Sequence, residues 1–503
     1  MDTILAPPKA GAMLESLRGM GYSVPAALAD IIDNSISADA GRVRIDFIWN
    51  GEKSLVRILD DGSGLSEEEL DRAMRLGSNS PLTSRGANDL GRFGMGLKTA
   101  SLSQCRRLTV ASRRGLDIAY RRWDLDFIAR SGGDHWHLLP APAKDSLFHF
   151  APLAAQTQGT VVLWEECDHI VTPGFTDRDF LHLADRVEQH LAMVFHRYLE
   201  GPSPRLRLYI NGDEDRHRIR AWDPFLSGHA ATLRSPVERI ATGQGTVEVQ
   251  GHVLPHRDRI SAEEFESGGG PEGWAAQQGF YVYRNQRLLV AGGWLGLGSG
   301  RAWTKEEAHK LARIRLDIPN TVDEEWKIDI RKAVARPPVT IRKRLTQLAE
   351  KVRSDARRVF AHRGQYGASA PMKDLVQAWR VQESTCGVRY LIDENHPAVR
   401  SVLDQAGDLT PHVRMMLRII EESVPVQRIW LDTVERGDVP LAASSDRPPP
   451  ELLETLMDIY RDLVGRTGML PEVAVQQLLR TAPFNRWPSA VLELPATAAS
   501  GGT

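Results

Sequence analysis

The chain has 503 residues, 63 Lys and Arg against 65 Asp and Glu, and a formal net charge of −2, which excludes a global attraction to nucleic acid. Its 42% hydrophobic and 25% charged residues exclude a disordered or fibrous polymer and allow roughly two to four domains with ample core. We read no signal peptide and no 18-residue apolar run, and Cys105, Cys167 and Cys386 lack metal spacing. These observations predict a cytoplasmic protein in a reducing compartment with no membrane contact.

In chain order, the run from Val24 to Ile36 places Leu28, Ile31, Ile32 and Ile36 at helical spacing. Asp30 and Asn34 lie one turn apart and share a face, with Asp33 near the same edge. A carboxylate there could deprotonate a water, and an amide oxygen could ligate Mg²⁺, which takes hard oxygen ligands. Taken alone, the same pattern is an amphipathic helix with a solvated polar side. A strand-like run, Leu55 to Leu59, then ends in Asp60, followed by Gly62 and Gly64. A carboxylate at a strand end can accept a hydrogen bond from an adenine amino group, and glycines let backbone approach a ligand. An ordinary Asp-Gly turn would read the same way. The polar segment Gly77 to Asn88 leads to Gly91-Arg92-Phe93-Gly94-Met95-Gly96-Leu97-Lys98. Backbone N–H groups of such a loop, and the helix start from Leu97, can hold phosphate oxygens. It is neither a P-loop nor a dinucleotide fingerprint. Each element alone is weak. In this order and spacing they read together as an ATP site.

These residues resemble a GHKL ATPase, the group of gyrase, the heat-shock chaperone, sensor histidine kinases and MutL. Ile32-Asp33-Asn34-Ser35 and Gly94-Met95-Gly96-Leu97-Lys98 look most like the MORC and bacterial MORC-like branch. The resemblance spans about residues 15 to 165. It implies a Bergerat-type α/β sandwich, Asp30 as general base, Asn34 as the Mg²⁺ ligand and Asp60 as the adenine reader. It further implies Gly91 to Lys98 at the phosphates, a lid at Gly77 to Asn88, and Gly159-Thr160 as the last adenine-side motif. The family usually has Glu at the base position. Asp30 is one methylene shorter, roughly 1–1.5 Å of reach, and a misplacement of about 1 Å can cost on the order of 100-fold in rate. Slow hydrolysis follows, or reliance on Asp33 or a bridging water, or binding with negligible turnover.

Strands are expected at Val43–Trp49, Leu55–Leu59, Leu108–Ser112 and Thr160–Trp164, and a long amphipathic helix at Asp179–Leu199 closes the first domain, residues 1–200. Gly201-Pro202-Ser203-Pro204 reads as a linker. A second domain, 201–363, carries strands at Arg205–Ile210, Thr246–Val253 and Phe280–Leu289, and a flexible glycine-rich loop at Ser267–Gly273. Gly279 to Leu289, with Asp329 to Ala333, resembles the ribosomal-S5-like α/β transducer domain of the gyrase, MutL and MORC branches. In those relatives a lysine reaches back to the γ-phosphate. Alternation of Trp326, Ile328, Ile330 and Lys332 puts Lys332 at a strand tip, with Lys327 as the alternative. A solvated strand-end lysine is the bland reading. Histidine kinases lack such a domain.

After Pro337-Pro338, residues Ile341, Leu345, Leu348, Val352 and Val359 form an apolar helical stripe. Residues 331–363 hold 11 Lys or Arg against two acids, a local net of +9. Arg342, Lys343, Arg344, Lys351, Arg353, Arg357 and Arg358 are therefore candidates for DNA phosphates, or a solvated face. Residues 364–503 are expected to be mainly helical, with runs at Met415–Ile420 and Leu452–Leu463, a short strand at Val388–Ile392, and a turn at His396-Pro397. Resemblance implies an ATP-dependent homodimer that clamps DNA, in a bacterial restriction-like or phage-defence setting. The competing reading is a chaperone-like scaffold whose C-terminal region takes a protein partner.

Overall fold

The computed structural model describes residues 8–19, 21–77, 96–132, 134–322, 325–328, 335–361, 376–384, 387–425 and 448–495. The chain is mixed α/β and divides into two compact units, Met1–Gln365 and Tyr366–Thr503.

The first unit begins with α1 (Ala10–Arg18), α2 (Val24–Ser37), β1 (Arg42–Ile48), β2 (Leu55–Asp60), α3 (Glu67–Met74) and α4 (Gly96–Leu102). It continues with β3 (Arg107–Arg114), β4 (Asp117–Asp124), α5 (Leu125–Arg130), α6 (Ala151–Ala154), β5 (Gln158–Glu165), α7 (Asp177–Val194), α8 (His196–Leu199) and β6 (Arg207–Ile210). The strands form one sheet in the order β4-β3-β5-β2-β1-β6, antiparallel except for the parallel β1–β6 pair. Strand side chains alternate between faces. Val56, Ile58, Val162 and Trp164 meet α2, α7 and the other helices, whereas Leu55, Leu59, Val161 and Leu163 meet Phe150 and Leu153 of α6 and the turn before it. That is a sandwich of one sheet with its main helical layer on one side. α2 lies in the centre of this layer, its N-terminus capped by the Ser23 hydroxyl and its Leu28, Ile31, Ile32 and Ile36 buried, as the spacing predicts. Arg18 ties α1 to the end of α4, donating to the carbonyls of Leu102 and Cys105 and to both oxygens of Asp168 at 2.6 Å.

The second half of this unit contains β7 (Leu233–Arg234), β8 (Glu238–Ala241), β9 (Thr246–Val253), α9 (Ala262–Gly268), β10 (Gly279–Arg284), β11 (Arg287–Ala291), β12 (Ala312–Ile318) and α10 (Val339–Ala361). The sheet order is β11-β10-β12-β9-β7, with β8 also on β9. α10 lays Ile341, Leu345, Ala349, Val352, Ala356 and Val359 over it. A Cβ at Gly251 of β9 would stand 2.4 Å from Val352, so glycine permits the close approach of helix to strand.

Three expectations are corrected here, and one omission is filled. The strand around Arg205–Ile210 belongs to the first sheet, because β6 pairs in parallel with β1, and Gly201–Pro204 therefore links helix α8 to a strand of the same sandwich instead of separating domains. β12, which the sequence reading missed, is central to the second sheet. Residues Glu325–Lys327 form a turn rather than a strand, with Lys327 exposed at φ 48°. The Ser267–Gly273 stretch is closely packed: Trp274 stacks on Phe265, and a Cβ at Gly270 would lie 2.2 Å from Trp222.

The second unit holds β13 (Trp379–Ser384), β14 (Gly387–Ile392), α11 (Pro397–Gln405), α12 (Thr410–Glu422), α13 (Pro450–Gly465), α14 (Pro471–Leu479) and α15 (Pro488–Leu492). Its core is built from Leu456, Ile459, Tyr460, Ala474, Val475, Leu478, Phe484, Val491 and Leu494. His396, expected as a turn residue, caps α11 through its ring and meets the Ala482 carbonyl at 2.7 Å. No helix among the described residues is long and apolar enough to cross a membrane.

Candidate nucleotide site

α2 carries Asp30, Asp33, Asn34 and Ser35 within six residues, so consecutive side chains fan out around the helix. Asn34 is exposed and its amide donates to the Asp30 carbonyl at 3.1 Å, which turns the amide oxygen outward. Asp30 is buried, and its Oδ2 accepts the Tyr22 hydroxyl at 3.0 Å. Gly96, which opens α4, lies against the same carboxylate: a Cβ there would sit 3.6 Å from Asp30 Oδ2. The last glycine of the glycine-rich element and the expected base are thereby neighbours.

Asp60 ends β2 and is also buried. Its carboxylate accepts from the Ser35 hydroxyl at 2.8 Å, the Gly62 N–H at 3.0 Å and the Thr160 N–H at 3.1 Å. All three donors are neutral. Burial dominates and pushes the Asp60 carboxyl up to about 6, against the pull of these hydrogen bonds. At neutral pH it remains chiefly a carboxylate, already oriented by three donors and suited to accept from an amino group. Gly64 holds φ +66°, and a Cβ on it would fall 2.0 Å from the Arg113 carbonyl; the loop after β2 can run this close to β3 only with glycine there. Thr160 also meets the Ser112 hydroxyl at 2.9 Å.

Asp33 was expected beside the nucleotide. It is 2% exposed and faces the second sheet, where Arg287 Nε lies 3.2 Å from both of its oxygens. Arg287 Nη2 stands 3.7 Å from Asp30 Oδ1. Lys98, expected at the phosphates, is 2% exposed in this structure and its ammonium donates to the carbonyls of Ala73 and Arg75 at the end of α3, at 2.8 and 2.9 Å. Burial pushes that ammonium down to about 8. Leu97 packs on the helical core. Gly91, Arg92, Phe93, Gly94, Met95 and Lys332 lie outside the described residues, as do lid residues 78–88.

The structure therefore gathers Asp30, Asn34, Asp60, Gly62, Gly64, Gly96 and Thr160 from separate segments. Tyr22, Ser35 and Arg287 complete the set and were missed. Ser35 sits inside the motif that drew attention to Asn34, and Arg287 follows Asn285-Gln286, a polar pair that interrupts two apolar runs. The acceptor at Asp60 fits a purine amino group. Asn34 offers one hard oxygen. Among the described residues no group of three His, Cys, Asp or Glu is arranged for a metal ion. That donor set fits Mg²⁺, which commonly completes its shell with phosphate oxygens and water, better than a metal needing an all-protein cage.

The basic face of α10 is narrower than the sequence suggests. Arg353 is a correction: it is 8% exposed, its guanidinium 4.6 Å from the ring centres of both Trp294 and Trp303, so it is not presented to a phosphate. Arg344 is paired with Glu238 through two nitrogens, and Arg358 with Asp355. Arg342 reaches the Gly296 carbonyl at 3.4 Å. Arg342, Lys343, Arg344, Lys351, Arg357 and Arg358 are exposed.

An acceptor at a strand end, an acid and an amide one turn apart on the central helix, and glycines against both define a nucleotide-binding ATPase fold. Residues 22–160 match the family described as histidine kinase-, DNA gyrase B- and HSP90-like ATPase, and the chain is similar to relatives of the MORC and MutL kind. It is 30% identical over 88 residues to the ATPase morc-1 of Caenorhabditis elegans, covering 18% of this chain and 10% of that protein. It is 27% identical over 272 residues to the DNA mismatch repair protein MutL of Coxiella burnetii, covering 52% of this chain and 41% of MutL. Over 88 residues it is 40% identical to MutL of Aeromonas hydrophila, 17% of this chain and 14% of the relative. The chain thus spans less than half the length of each of these relatives.

Proposed function

We propose that this chain binds ATP with Mg²⁺ and hydrolyses it slowly, and that the bound nucleotide drives pairing of two copies into a clamp or remodeller acting on DNA. Asp30 aligns and deprotonates the attacking water, Asn34 ligates the metal, and Asp60 reads adenine. The observation that carries this reading is the convergence of Asp30, Asn34 and Gly96 at one place, with Asp60 held by Ser35 of the same helix. The first sheet with its helices, through β6, acts as the ATP-binding domain and the second sheet with α10 as the transducer, with Lys332 as the γ-phosphate sensor. Action on DNA is supported by the matched stretches of MutL and by the exposed cations of α10, led by Lys343, Lys351 and Arg357; a role in bacterial restriction-like or phage defence rests on family analogy alone.

Titration calorimetry of the full chain with ATP tests the reading, with Mg²⁺ present and absent. We expect saturable heat that needs Mg²⁺, Asn34→Ala to remove the metal dependence, and Asp30→Asn to suppress phosphate release. Absence of heat on folded protein would sink the proposal, and unchanged release by Asp30→Asn would remove Asp30 as the base. The second reading, a nucleotide-switched scaffold, is favoured by one observation: Met415, Met416, Ile419 and Ile420 of α12 are exposed. ATP-dependent capture of a protein, with indifference to DNA, would select it.

A further inference from the structure

Arg287 owes its place to a turn. Asn285 and Gln286 connect β10 to β11 with φ of 47° and 69°, the positive pair of a two-residue hairpin turn whose twist suits the flanking strands. The Tyr198 hydroxyl of α8 donates to the Asn285 carbonyl and pins this turn to the helical layer of the first sheet. Arg287 is the first residue after the turn, 5% exposed, and its Nη1 donates to the Leu288 carbonyl at 2.8 Å. The rest of the guanidinium is aimed at α2: Nε at both oxygens of Asp33, Nη2 toward Oδ1 of Asp30. Phe195 stands 5.8 Å from its centre. His190 of α7 feels the same charge, and burial followed by Arg287 pushes its imidazole down to about 4, so it adds no second cation.

Two buried acids on neighbouring turns repel each other unless a counter-charge lies between them. A guanidinium is well suited to that task, since its planar fork fixes direction as well as charge. Orientation matters here because the short Asp30 side chain has little reach. One oxygen of Asp30 is held by Tyr22 and the other faces Arg287.

We propose that Arg287 is a positioning residue for ATP hydrolysis, setting the orientation of Asp30 through the Asp33 pair from the second sheet; the inference rests on Asp30 being the base. Arg287 does not touch nucleotide in this assignment. Its loss lowers turnover and spares affinity.

The test uses the full chain, with phosphate release for kcat, calorimetry with a non-hydrolysable ATP analogue for affinity, and circular dichroism for folding. For Arg287→Ala we expect kcat to fall on the order of 100-fold, the scale of an angstrom-sized misplacement, with Kd within about threefold. Arg287→Lys, which keeps the charge but loses the fork, recovers about tenfold of this. An unchanged kcat in folded Arg287→Ala overturns the inference, as does a parallel loss of affinity and kcat. Should that variant fail to fold, the double variant Asp33→Asn with Arg287→Gln removes both charges and decides: lowered kcat with kept affinity supports, natural kcat overturns. A natural chain that binds ATP without turnover overturns this inference and leaves nucleotide binding standing. One that does not bind ATP removes both.

Discussion

Asp60 and Asp33 are both buried carboxylates of the first unit, and they are satisfied in opposite ways. Asp60 is held by three neutral donors from its own sheet and from the helix above it, and burial raises its proton affinity. Asp33 is held by a guanidinium that arrives from another sheet, 254 residues along the chain. Neutral donors leave an acid able to exchange partners, which is what a ligand-reading group needs. A buried ion pair instead binds two layers together and is costly to break from one side. In the proposed reading, the first arrangement suits recognition and the second suits linkage.

The sharpest way to break this contrast is Arg287→Ala, which leaves Asp33 buried without its cation. We expect a loss of about 3–5 kcal/mol in urea unfolding; a loss below about 1 kcal/mol would place Asp33 in the same class as Asp60. The pH dependence comes next. An acid whose folded pKa of about 6 exceeds its unfolded value of 3.8 keeps its proton longer in the native state. The native state is therefore favoured at low pH by this group, and stability falls as pH rises through the window from about 4 to 6, by about 3 kcal/mol for Asp60 alone. Comparing urea midpoints of the natural chain and Asp60→Asn across that window isolates the contribution, which should vanish in the variant. In the same comparison Asp60→Ala should weaken ATP binding at least about tenfold, near 1.4 kcal/mol, by calorimetry. The smallest expected effect is at the surface: Arg344→Ala, which breaks the exposed pair with Glu238, should change stability by less than about 1 kcal/mol in the same urea assay.

The residues of the proposed site were legible in the sequence as candidates: Asp30, Asn34, Asp60, Gly62 and Gly64 stand out because helical period, strand end and glycine turns are local properties of a few residues. α2, β2, β5 and α10 lie close to where periodicity puts them. The failures have a common cause. β6 was given to the wrong sheet because four residues of strand pattern do not say which edge they join. β12 was missed although Ala312–Ile318 alternates apolar residues with Arg313, Arg315 and Asp317, the period-two pattern of a strand; the sequence does not show that it is central. Arg353 was counted as a phosphate ligand because a helix wheel cannot see Trp294 and Trp303 arriving from another segment.

By itself the sequence determined the class of fold and the order of the candidate residues proposed for base, metal and purine, because those features depend on spacings of a turn or less. The tertiary structure alone decided which charges are spent on one another. Whether Asp33 faces a nucleotide or a guanidinium, and whether Lys98 faces phosphate or the end of α3, depends on groups that meet across long stretches of chain, and no periodicity encodes such a meeting.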